Sequence, residues 1–161
     1  MKTTKEKADE NIHENLVGNL QGLLEKNYDA EKGFTKAMQD SKNQQLKNFL
    51  KHQAAQHARF ATELDHEIRS LNETPKESGS TAGTLHRAWI GVKTAFTSDN
   101  DEAVLEECIR GEKACAEDYE ETLNENRFSP NISSVLNNQL SQIKQTVSKV
   151  KSLEDIADSW S

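Results

Sequence analysis

Two prolines and seven glycines are all that 161 residues offer to turn the chain sharply. A β fold needs a turn every ~10 residues, so this scarcity argues against one. Long apolar runs are also missing: nothing approaches the ~20 residues that cross a bilayer as a helix. The first ten residues are charged and polar with no apolar segment behind them, so no secretory signal is expected and the cytoplasm is the expected compartment. Positive charge is in deficit, with 20 Lys and Arg against 27 Asp and Glu. Nucleic-acid binding relies on a basic stripe, and the short basic start (Lys2, Lys5, Lys7) reads instead as a solvated end. Cysteine is scarce too. Cys108 and Cys115 stand seven residues apart on one predicted helix, about 10.5 Å of rise, beyond the reach of a disulfide. They read as two buried thiols in a reducing compartment.

What the sequence does contain is helical periodicity, in four long stretches. The first runs from about residue 6 to 39, with Leu16, Leu20, Leu24, Tyr28 and Met38 on one stripe. Asp40 and Ser41 supply a break and a cap. The second runs from about 42 to 72 and carries Leu46, Phe49, Phe60, Leu64, Ile68 and Leu71. A link this short makes the two helices antiparallel neighbours. Residues 73–84 are rich in breakers (Pro75, Gly79, Gly83), and a shorter helix is expected at about 85–96 with Leu85, Trp89, Val92 and Phe96 on one face. Asp99 and Glu102 suggest a capping box for the third long helix, which runs to about 126 with Leu105, Cys108, Ile109, Ala116, Tyr119 and Leu123 in phase. Ser129 followed by Pro130 starts the fourth, which carries Ile132, Val135, Leu136, Ile143, Val147, Val150 and Leu153. The expected fold is therefore all-α and one domain: a hairpin over 6–72, a crossover over 73–98, and a second hairpin over 99–158. A connection of that length lets the chain run back along a four-helix bundle, as in ferritin-like folds.

The hairpins also resemble each other. Leu24-Glu25 with Glu31-Lys32 in the first matches Leu105-Glu106 with Glu112-Lys113 in the second. Leu50-x-x-Gln53-x-x-Gln56 matches Leu136-x-x-Gln139-x-x-Gln142. The same order of both segments points to an internal duplication. On a helical wheel Glu31 and Glu112 fall inside apolar stripes, as do Gln53 and Gln139, with Gln56 and Gln142 at the edges. Burying an ionised carboxylate without a partner is costly, so two at matching positions suggest a shared polar centre.

These residues resemble the layout of ferritin-like di-metal proteins, in which the second helix of each hairpin carries Glu-x-x-His. The segments 85–89 and 105–113 resemble, more specifically, a bacterial ferritin-like family known as domain of unknown function 2383. That resemblance extends from about Leu16 to Leu153 and implies the fold without an activity. The departure from the di-metal pattern matters more: both Glu-x-x-His positions are Gln-x-x-Gln. Neutral amides are weak ligands, so no metal or other cofactor is expected. The expectation is a metal-free network in which the four glutamines donate to Glu31 and Glu112. The alternative is an iron, manganese or zinc site drawn from Glu31, Gln53, Gln56, His57, Glu112, Gln139 and Gln142, with His57 adding an imidazole. A small-molecule site at the same centre is a third class. His13, His52, His66 and His86 show no ligand spacing, and His86 with Trp89 reads as a clamp for the crossover. No phosphate loop or nucleophile–base set is present. The expected role is thus non-enzymatic, through the surface, as a homo-oligomer or with a protein partner, without nucleic acid or membrane.

Overall fold

The computed structural model describes residues 1–80 and 100–159. Each long helix begins where a side chain satisfies amides that the first turn leaves unpaired. In α1 (Thr4–Asp40) the Thr3 hydroxyl accepts from the Glu6 amide, and the Glu6 carboxylate accepts from the Thr3 amide. The cap of α2 (Gln44–Ser70) is Asn43, which accepts from Leu46 at 2.9 Å. Ser41, expected to start this helix, instead closes α1, its hydroxyl donating to the Ala37 carbonyl. α3 (Asp101–Glu125) is capped by Asn100. Ser129, with Pro130 behind it, caps α4 (Pro130–Lys149) as the sequence suggests. The short helix expected at 85–96 lies outside the described residues.

The fourth helix does not continue through Val150 and Leu153. It stops at Lys149, and a separate short helix, α5 (Leu153–Ser159), follows. The Asp155 carboxylate accepts from the amides of Lys151 and Ser152, and Glu102 accepts from that of Leu153. The contact with Glu102 places this break beside the start of α3. Turning there brings Ile156 to complete burial in the same apolar cluster as Val150.

Helix directions follow from matched contacts. Asn19 meets Asn126, Asn27 meets Tyr119, and the amide of Asn43 meets Asp101, so α3 runs antiparallel to α1. α2 is antiparallel to α1 as well, hence parallel to α3. Gln56 meets Gln142 while Glu63 meets Gln139, which sets α4 antiparallel to α2. The order is up-down-down-up, so the end of α2 and the start of α3 lie at opposite ends of the bundle. The first part of the connection between them is strapped to α1 at one-turn intervals. Gln21 donates to the Thr74 carbonyl and accepts from the Lys76 amide, Glu25 pairs with Lys76, and Asp29 accepts from the amide and hydroxyl of Ser80. A side chain at Gly79 would land on the Asp29 carboxylate, which explains a glycine there.

The core consists of two apolar clusters. One, towards the Asp40–Asn43 turn, holds Phe34, Leu46, Phe49, Leu50, Leu105 and Ile156. The other, towards the far end, holds Leu20, Leu24, Phe60, Leu64, Tyr119 and Leu136. Buried polar side chains lie between them in sequence on three helices, Asn27 on α1, His57 on α2 and Glu112 on α3, with Gln53 one turn before His57.

Candidate functional site

That polar layer is built from one side chain outward. His57 is completely buried, one turn beyond Gln53 on α2. Phe34 stacks on its ring at 5.5 Å between centroids, and Phe60 meets it edge-on at 5.7 Å. Its Nδ1 lies 2.7 Å from Asn27 Oδ1, and its Nε2 meets Glu112 Oε1. Glu112 is 1 % exposed, so this is a buried imidazole–carboxyl pair.

The network continues away from the pair. The Asn27 amide donates to the Leu23 carbonyl at 2.8 Å and to the Tyr119 hydroxyl at 2.9 Å. Tyr119 in turn donates to Gln139 Oε1 at 2.6 Å. Gln139 passes its own NH2 to the Phe60 carbonyl and to Glu63 Oε1, at 3.3 and 3.1 Å. Burial above all holds the Tyr119 phenol well above its ordinary range, so it remains an O–H donor. Five side chains from all four long helices are thereby linked through the interior, with a sixth, Glu63, at its edge.

The sequence-derived residues divide. Glu112, His57 and Gln139 join the network and Gln53 is buried, whereas Gln56 and Gln142 are half-buried and form a long 3.4 Å contact. Glu31 is half-buried at the wall of a groove shared with Tyr28, Lys32, Lys36 and Ser78. The buried arc of α1 is centred on Asn27 and Phe34, which turns Glu31 to its edge. No glutamine donates to either glutamate in the described hydrogen bonds; the partner of Glu112 is His57. Sequence reasoning missed Asn27 and the role of the Tyr119 hydroxyl. The available signal was that Asn27 stands three and four residues from Leu24 and Leu23, in phase with Leu20 and Phe34.

Whether a di-metal centre fits can be tested on the donors. Three buried acceptors, Gln53 Oε1, Gln56 Oε1 and Glu112 Oε2, have no partner among the described residues. They offer one carboxylate oxygen and two neutral amide oxygens, and the imidazole is already bonded through both nitrogens. Two divalent ions would be left largely uncompensated, so the residues present do not fit such a centre. Nor do the described residues contain a group of three His, Cys, Asp or Glu side chains placed to hold a metal ion.

A family model matches residues 15–125, more than half of the chain and every network residue except Gln139. The chain belongs to the family described as domain of unknown function (DUF2383). As a DUF2383 member it is matched over most of α1, all of α2 and all of α3, a shorter stretch than the resemblance read from the sequence, and α4 lies beyond it. No curated protein matches the chain. No helix among the described residues is long and apolar enough to cross a membrane.

Proposed function

We propose that this chain is a ferritin-like bundle that works without a metal, not as an enzyme but through its surface, by self-association or by binding a protein partner. The observation that carries this reading is the pairing of His57 with Glu112. The side chains best suited to ligate an ion are bonded to each other, and the His57 ring is pinned from its other nitrogen by Asn27. The up-down-down-up order with one long crossover supports the ferritin-like part. A groove of about 800 Å³ along α3 and α4 supports the surface part. Ile109, Ala116 and Val147 are among the residues lining it, together with Arg110, Lys113, Lys144 and Lys151.

Metal analysis of protein purified from its native cells, with melting in the presence and absence of chelator, tests the reading. The expected result is no stoichiometric iron, manganese or zinc and an unchanged melting temperature. Stoichiometric metal would overturn it, as would a large drop with chelator that one ion restores. Saturation a thousandfold above Kd adds about 4 kcal/mol, which no melting curve would hide.

A further inference from the structure

The direction of each hydrogen bond in the network fixes how many protons the His57–Glu112 pair holds. Asn27 donates with its NH2 to the Leu23 carbonyl and the Tyr119 hydroxyl, so its Oδ1 faces His57. An amide oxygen only accepts, so His57 Nδ1 carries a hydrogen. The contact between Nε2 and Glu112 Oε1 then needs one further proton, on either atom. With none, two lone pairs face each other and a carboxylate is buried uncompensated. With two, the second sits on the otherwise unpartnered Glu112 Oε2 or faces the ring N–H, and in either place a net positive charge is buried without a counterion.

From this geometry we propose that the pair is a pH-sensitive latch: the folded bundle holds one proton between His57 and Glu112, and folding above about pH 7 takes that proton up from solvent. The proposal rests on the metal-free reading of the centre. In an unfolded chain a histidine gives up its proton near pH 6.5 and a glutamate near pH 4.3, both approximate values. Between those values folded and unfolded forms hold equal numbers, and the latch contributes its full stability. As pH rises above about 6.5 the unfolded chain loses its proton while the folded one keeps it, so stability falls. As pH drops below about 4.3 the unfolded chain gains a second proton, and stability falls again. A difference of one proton changes the unfolding constant about tenfold per pH unit.

The surroundings keep this proton count isolated. From α1 the ring meets Asn27 and Phe34, both neutral, and Lys26 is paired with Asp118. On α2 Glu63 is bound by Gln139, and Arg59 reaches Gln142. On α3 the thiols of Cys108 and Cys115 flank Glu112, and burial keeps both protonated at neutral pH; Glu107 is engaged by Arg110. α4 brings neutral amides, and its Lys144 pairs with Glu120.

Denaturant unfolding of the full chain between pH 5 and 8.5, in chelator throughout, tests the latch against Glu112→Gln. An amide there still donates to Nε2 but has no proton to release. The wild-type unfolding constant is expected to rise close to tenfold per unit above pH 7 relative to the variant, with the other four histidines cancelling in the comparison. Equal slopes would overturn the proposal. Should the variant not fold, ¹⁵N spectra of the wild-type ring decide. Nδ1 is expected to stay protonated and the ring not to titrate between pH 5.5 and 8; a ring that titrates as a free imidazole overturns the latch. Failure of the metal-free reading is seen separately, as a melting temperature that depends on chelator.

Discussion

At the scale of single residues, the centre shows how a polar core is made tolerable. His57, Asn27, Tyr119 and Gln139 each use one neighbour to orient the next, and removing a member leaves a buried group unpaired. Tyr119→Phe strips the donor from Gln139 Oε1 and one acceptor from Asn27 without changing the fit of the ring. It should cost about 1–3 kcal/mol in denaturant unfolding, the usual penalty for an orphaned buried group. A cost near zero would mean that Gln139 finds another donor. The two cysteines make a second test. Burial first, then the neighbouring Glu112 carboxylate, pushes both thiols up, so neither offers thiolate at pH 8 in the folded state. Alkylation of native protein should be slower than that of unfolded protein by at least about an order of magnitude, and labelling at the unfolded rate would contradict the burial.

The elements differ in how they are held. α1 and α2 are joined by a tight turn, whereas the described part of the connection after α2 is fastened to α1 by polar side chains and the close approach at Gly79, with Pro75 buried beneath it. Gly79→Ala should therefore loosen this strap, raising amide exchange at residues 74–80 while leaving the centres of α1 and α2 protected. Exchange unchanged at Ser80 would show that Asp29 simply moves aside. α5 is short, yet it buries Ile156 completely. Ile156→Ala should cost about 2–5 kcal/mol despite its place five residues from the chain's end, and a smaller loss would mean the site collapses around the alanine. The break that creates α5 was not legible in the sequence. Val150 and Leu153 continue the apolar period of α4, and nothing local interrupts it. The turn is decided by where α3 begins, and periodicity within one segment carries no information about that.

For the whole molecule, the four long helices and their pairing were legible because each depends on a cap and a repeating apolar stripe that the chain carries locally. The polar centre was legible only by position. Glu112 and Gln139 fall where the helical wheel puts them, but Glu31 does not, because a stripe chosen through Tyr28 and Met38 is rotated from the arc that packs. The sequence match that pairs Glu31 with Glu112 does not extend to their neighbours. By the same alignments Cys108 stands where Asn27 does, and Ile143 where His57 does, so only one half carries an imidazole partner. The longest helix also reaches past the bundle. At 37 residues α1 is about 15 Å longer than the 27-residue α2, and His13 marks the level at which α2 has ended, through its 2.9 Å contact with Glu73. Residues 4–12 beyond it are exposed, including Ile12, and are held by the Thr3–Glu6 capping box and the Lys2–Glu10 pair. Since they bury nothing in one copy, deleting residues 1–11 should shift the melting temperature by less than about 2 °C while removing roughly two turns of helical signal. If copies associate through this projection, the same deletion lowers the mass measured by light scattering and leaves the melting curve of the isolated bundle in place. A fall of many degrees in a chain that is monomeric both before and after deletion would show that the projection supports the bundle itself.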